Sequence, residues 1–348
     1  MESLKEWQFE EVPKYMEERD PHEDIFFSKG NKAQALVREF VQNALDAKRE
    51  DSDIVRVCIS FDTLSESSKN KYLSGMRRHL EESNMKPESF TEGKNRVMVL
   101  EDFGTTGLDG YTQREDSKDN GSKSNFYDFW WSEGKSGKGG GNIGSWGLGK
   151  TTYHMASEVK AFWGLTVRED DERELLMGKC LLKSHTLDET VYDYSGKYKR
   201  GENRPISDSN IISEFKKDMP ILRDSEKGFS VAIPLLEEEI TPESVIKYAI
   251  KHYFYAILSG DLKLEIRDLN HGDNTQSINR ENLEEYARML DWDDTGWGNR
   301  NVIELLNFTR EAIERKQSGE CKDLDPKNDL QTLEDICDSL ETLQERYD

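Results

Sequence analysis

Residues 31–49 form the longest helix-like stretch without a breaker. It is rich in alanine, with apolar Ala35, Leu36, Phe40, Leu45 and Ala47 among polar neighbours, and the spacing predicts a helix. Residues 54–61 carry Ile54, Val55, Val57, Ile59 and Phe61 in near alternation and predict a strand. A helix over 72–82 and a strand over 96–101 follow, the strand running out at Asp102 and the turn residue Gly104. Residues 108–142 are poor in apolar positions apart from a cluster at 126–131, and read as a long loop. Beyond it the pattern predicts a helix at 150–156, strands at 159–167, 175–183 and 229–236, a helix at 244–258 and a strand at 262–266. The polar stretch 184–227 reads as an insertion. Helices are expected at 281–291, 301–316 and 329–346. In the last, Leu330, Leu333, Ile336, Leu340 and Leu343 recur every three or four residues, a pattern too short for a stable coiled coil.

Composition narrows the possibilities. The 348 residues include 14 Phe, 13 Tyr and 7 Trp, too many aromatics for a disordered chain. No apolar run reaches the roughly 18 residues needed to cross a bilayer, and the first residues lack the apolar core of a secretory signal. A cytoplasmic protein with no membrane partner is expected. The formal net charge is −22, of which residues 268–348 contribute −12. Such a chain is not built to coat nucleic acid through counterion release. DNA contact would need local basic spots, such as Lys118, Lys123, Lys135 and Lys138 or Lys197, Lys199 and Arg200, or a partner; the acidic surface favours a protein partner. Cys58, Cys180, Cys321 and Cys337 show no C-x-x-C spacing and read as free thiols.

Three segments carry candidate chemistry. On the 31–49 helix, Glu39, Asn43 and Asp46 fall at about 0°, 40° and −20° around the axis, one stripe of oxygen-bearing side chains. Such a stripe suits a hydrated Mg²⁺, which prefers one or two protein oxygens plus phosphate oxygens, although a solvated helix face has the same pattern. Asp102-Phe103-Gly104-Thr105-Thr106-Gly107 places a carboxylate at a strand end before a glycine turn. That is a common hairpin exit, and also a seat for a ligand amino group. Gly139-Gly140-Gly141-Asn142-Ile143-Gly144-Ser145-Trp146-Gly147-Leu148-Gly149-Lys150-Thr151 ends at a helix start, where glycines present unpaired N–H groups to an anion. The last eight residues also satisfy the P-loop expression G-x-x-x-x-G-K-[ST]. A P-loop needs a buried strand just before it, and 133–142 is too polar to be one.

Taken in order, a helix with Glu-x-x-x-Asn-x-x-Asp, a strand ending Asp-x-Gly-x-x-Gly, a long lid and Gly-x-x-Gly-x-Gly opening a helix resembles the GHKL ATPases. That superfamily includes gyrase B-type topoisomerases, ninety-kilodalton heat-shock chaperones, histidine kinases and MutL. The resemblance spans roughly residues 25–267. Within it, Phe129 to Ser136 and the Gly144–Lys150 segment look most like MORC- and MutL-type prokaryotic ATPases associated with DNA restriction and phage defence.

The resemblance implies a Bergerat fold: α+β, a two-layer sandwich of a mixed sheet covered by helices, here with a C-terminal helical extension. It divides the chain into an arm (1–24), an ATP-binding domain (25–267, lid 108–149) and an acidic helical region (268–348). It implies ATP and Mg²⁺ as ligands, slow hydrolysis, lid closure and a nucleotide-dependent homodimer, with the arm reaching the partner protomer. By motif position Glu39 would be the general base, Asn43 the Mg²⁺ ligand, Asp46 a holder of the lid side and Asp102 the acceptor of the adenine amino group. Gly104 and Gly107 would make room for the base. Gly144, Ser145, Trp146, Gly147, Leu148, Gly149, Lys150 and Thr151 would wrap the phosphates. Two departures stand out: an additional residue separates Gly104 from Gly107, and Gly228-Phe229-Ser230 stands where relatives often place a threonine supporting the adenine-binding Asp. A histidine kinase would need a histidine-bearing helical hairpin upstream, and only His22 precedes the Glu39 helix. A P-loop NTPase and a non-hydrolysing nucleotide sensor remain the alternatives.

Overall fold

A computed structural model describes residues 6–15, 20, 31–85, 90, 93, 95–113, 124–132, 151–201, 204–272, 274–295 and 299–319. The glycine segment 139–150, the 329–346 helix, His22, Cys321 and Cys337 lie outside these residues, as do Lys118, Lys123, Lys135 and Lys138.

Ten strands form one mixed sheet. They are β1 (Glu6–Glu11), β2 (Val55–Thr63), β3 (Arg96–Phe103), β4 (Ala161–Val167), β5 (Glu174–Leu181), β6 (His185–Leu187), β7 (Thr190–Lys199), β8 (Gly228–Pro234), β9 (Leu262–Asp268) and β10 (Asn274–Ile278). The order is β1-β7-β5-β4-β8-β3-β2-β9-β10, with β6 paired to β7. Among the described strands β2 and β9 pair in parallel and the others antiparallel. The helices are α1 (Lys32–Asp46), α2 (Glu66–Leu73), α3 (Arg77–Glu82), α4 (Asn125–Trp130), α5 (Thr151–Met155), α6 (Ser209–Asp218), α7 (Pro242–Ser259), α8 (Leu283–Met289) and α9 (Asn299–Gln317). This is the expected α+β sandwich, a mixed sheet covered by helices with further helices near the C-terminus.

Alternate side chains along each strand point to opposite faces, and the two faces build separate cores. Val57, Ile59, Met98, Leu100, Phe162, Val231 and Leu264 share one core with α1, α4, α5, α7, α8 and α9. Val97, Val99, Trp163, Leu165 and Ala232 share the other with α2, α3 and α6. The site lies on the first face.

Several elements differ from the sequence reading. Glu6–Glu11, expected in an arm, is the edge strand β1; Trp7 is buried in the second core and its Nε1 donates to the Tyr72 carbonyl at 2.9 Å. The insertion 184–227 contains β6, β7 and α6, and β7 joins β1 to β5. Within the long loop, α4 is a helix whose Phe126 and Trp130 enter the core. The expected helix at 72–82 is divided, α2 and α3 meeting in a 3₁₀ turn at Ser74–Met76. The sheet continues past residue 267 into β10, and Leu283, Trp292, Val302 and Leu306 belong to the first core. Among the described residues no helix is long and apolar enough to cross a membrane. Cys58 and Cys180 are free and buried.

Candidate functional site

Helix α1 begins at Asn31, whose side chain accepts the Gln34 N–H at 3.0 Å. Its buried row of Ala33, Leu36, Val37, Phe40, Val41 and Ala44 fixes the helix on the sheet. That leaves Glu39 half-buried at the seam and Asn43 and Asp46 exposed. Asn43 donates from Nδ2 to Glu39 Oε1 at 2.9 Å. Asp46 is engaged sideways, its Oδ1 accepting from Gln42 Nε2 at 2.9 Å.

Asp102 lies inside β3, not after it. The alternation that sends Met98 and Leu100 to the first core sends Asp102 the same way. Its Oδ1 accepts the Phe229 N–H at 2.7 Å and the Thr105 hydroxyl. Among the described residues Oδ2 has no hydrogen-bond partner, which leaves it as an acceptor. Burial holds the Asp102 carboxyl above the usual range, opposed by Arg223, Thr105 and the Phe229 N–H. Both departures from the family pattern therefore have a physical counterpart. Thr105, one of the two residues that widen the glycine box, supplies the hydroxyl, and Phe229 supplies a main-chain donor. Ser230 does face the opposite side, where its hydroxyl donates to Glu101 Oε1 at 3.0 Å.

Sequence reading missed Arg223, which comes from a polar stretch with no periodic signal. Its guanidinium is fully buried. It donates to Ser230 Oγ at 2.9 Å and to the carbonyls of Glu226, Lys227, Phe229 and Asp102. It lies 3.8 Å from Asp102 Oδ1 and 4.5 Å from the Phe103 ring centre. Buried Glu101, on the far face, accepts the main-chain N–H groups of Leu222 and Arg223 at 2.8 and 3.0 Å. This knot clamps the end of β3 to the start of β8 and fixes the Asp102 carboxyl between them.

Gly104 and Gly107 have φ of +79° and +71°. A Cβ on Gly104 would stand 2.6 Å from the Ile54 carbonyl oxygen, and one on Gly107 would stand 2.5 Å from that of Val167. The chain needs glycine at both positions for its own turn and packing. The loop between them is tied to the end of α1, Thr106 N donating to Ala47 O and Arg49 N to Gly104 O, both at 3.0 Å.

The described parts of the lid are docked. Phe126 N donates to Asp109 O, Trp131 Nε1 to Thr112 O, and Gly110 N to Asp170 Oδ2. Phe129 of α4 lies 5.0 Å from Phe229 and 6.3 Å from Tyr153, ring centre to ring centre.

Of the glycine segment 144–151, only Thr151 is described, as the first residue of α5. Gly144, Ser145, Trp146, Gly147, Leu148, Gly149 and Lys150 lie outside the described residues. Helix α5 packs on α1, and its Tyr153 is 1% exposed. Burial pushes the Tyr153 hydroxyl well above its ordinary range, helped by the charges of Glu39 and Asp102, while a hydrogen bond with Asn43 acts the other way. One buried hydroxyl thus senses the α1 stripe and Asp102 together. Nothing in the sequence pattern singled it out.

The donor set fits a hard cation. Among the described residues no group of three or more His, Cys, Asp or Glu forms a complete metal cage. The Asn43 amide, with its N–H turned to Glu39, leaves its carbonyl oxygen for a cation that takes its remaining ligands from phosphate and water. The β2–β9 pair is the one parallel contact among the described strands, so this sheet lacks the parallel core on which a P-loop is built.

No family model matches the chain, and no curated protein does. Among solved structures it is similar to the 43K ATPase domain of Thermus thermophilus gyrase B, crystallised in complex with an aminocoumarin. The identity is 12%, the TM-score is 0.33, and the match covers 74% of this chain and 49% of that one. The chain thus spans about half the length of that domain.

Proposed function

We propose that this protein is a Mg²⁺-dependent ATPase of the GHKL kind. The observation that supports the reading best is the convergence on Tyr153: Asn43 beside its hydroxyl, the charges of Glu39 and Asp102 acting on it, and the glycine segment entering the helix that carries it. Asp102 would accept the amino group of the base, Asn43 would hold Mg²⁺, and Glu39 would hold the attacking water and take its proton. Asp46 and the glycine segment with Lys150 and Thr151 would close around the phosphates. When bound, Mg²⁺ neutralises phosphate charge and aligns the terminal phosphate. A positioned carboxylate base accelerates hydrolysis by about 10²–10⁴-fold. The same reading carries lid closure, nucleotide-dependent dimerisation and coupling to a DNA-related or defence process through a protein partner.

Glu39→Gln and Lys150→Ala test this in the full-length chain. A GHKL-type site keeps ATP binding and loses turnover by at least about 100-fold in Glu39→Gln. Unchanged turnover in Glu39→Gln, with Lys150→Ala inactive, would replace this reading with the P-loop one. A nucleotide sensor would bind ATP and show no turnover in the wild type.

A further inference from the structure

The Asn43 side chain has two N–H bonds and one carbonyl oxygen. One N–H goes to Glu39 Oε1 at 2.9 Å. The contact between Asn43 and the Tyr153 oxygen favours the charged phenolate, which identifies the amide as donor and the phenol oxygen as acceptor. Both N–H bonds are then engaged within the protein, and the amide cannot flip without losing both contacts. The carbonyl oxygen is the part that remains for a ligand.

The Tyr153 ring is itself held in place. It is 5.2 Å from Phe162 of β4 and 6.3 Å from Phe129 of α4, ring centre to ring centre. Phe129 in turn lies 5.0 Å from Phe229, whose N–H supports Asp102. Rings from the lid, from β4 and from the base-binding end all bear on this one phenol.

We propose that Tyr153 is a positioning residue for the cation: it and Glu39 together orient the Asn43 amide so that Oδ1 faces Mg²⁺ and the phosphates. The docked lid helix, through Phe129, holds the phenol where it does this. The proposal rests on the ATPase reading, and two measurements separate the fates of the two.

The first is calorimetric titration of the full-length wild type and Tyr153→Phe with a non-hydrolysable ATP analogue, in Mg²⁺ and in EDTA. Losing a group that orients a metal ligand costs on the order of 10–100-fold in metal affinity. The variant should match the wild type within about twofold in EDTA and lose about tenfold or more of the strengthening that Mg²⁺ gives. Wild-type strengthening by Mg²⁺ in Tyr153→Phe overturns the proposal and leaves the ATPase reading standing. A wild type that binds no analogue overturns the ATPase reading, and with it the cation role of Tyr153.

The second needs no nucleotide and no variant: hydrogen exchange of the Asn43 side-chain amide in the wild-type chain, read by NMR. Two protected amide protons are expected. Exchange at the rate of an exposed asparagine overturns the arrangement, whatever the titration shows.

Discussion

Arg223→Ala is the most informative perturbation of the fold near the site. The guanidinium is fully buried beside two buried carboxylates, Asp102 and Glu101, and five acceptors depend on it. Burial alone disfavours its charge, and Asp102 and Glu101 restore it. Removing one partner of a buried ion pair costs about 3–5 kcal/mol, because the remaining charge stays desolvated. At about 2 °C per kcal/mol for a chain of this size, the melting temperature should fall by about 6–10 °C at pH 7.5. The deficit should also depend on pH. Burial has already raised the folded-state pKa of Asp102 above its unfolded value, and losing Arg223 raises it further. The penalty of an ionised Asp102 is therefore full above that folded pKa and disappears as pH falls through it. Thermal melts of wild type and variant from pH 8 to pH 4.5 should converge toward the acid end. A variant that melts within about 2 °C of the wild type at pH 7.5, or whose deficit is the same at every pH, would refute the electrostatic reasoning.

Other consequences are as concrete. Trp7→Ala removes a buried indole and its bond to the Tyr72 carbonyl, and should cost about 3–5 kcal/mol in chemical denaturation; a cost near zero would mean that β1 is not part of the fold. Gly107→Ala should destabilise by roughly 1–3 kcal/mol, since its φ of +71° and the Val167 carbonyl both exclude a Cβ; a neutral melt would contradict that. Burial and the neighbouring His185 lower the His79 pKa to about 4, below the unfolded 6.5. The unfolded chain therefore binds more protons between these values, and stability falls as pH drops from about 6.5 to 4. His79→Phe should flatten that slope in melts across this range.

Periodic elements were legible in the sequence because burial writes itself into spacing. The apolar row of α1 left Glu39, Asn43 and Asp46 on a common stripe, and the run from 96 ended at Asp102. The hidden parts were those whose burial is polar or one-sided. Strand β7 reads as polar because several of its side chains are only partly buried, and β1 is an edge strand beside charged neighbours. Helix α4 is too short for periodicity to show, although its aromatic cluster marked the spot. Arg223 and Tyr153 act through long-range contacts that no local pattern encodes. Thr105 was visible only as a spacing error, and its contact with Asp102 gives that spacing a purpose.

The central claim is that Asp102, Asn43 and Glu39 serve one nucleotide. Equilibrium binding of a non-hydrolysable ATP analogue to the full-length protein in Mg²⁺, compared with Asp102→Ala, tests it most directly. A buried acceptor that pairs with a ligand donor should be worth at least about 10²-fold in affinity. The account predicts saturable one-to-one binding by the wild type and loss of that order in Asp102→Ala, with the variant's fold intact by circular dichroism. Binding that survives Asp102→Ala unchanged, or a wild type that binds no nucleotide, would contradict it.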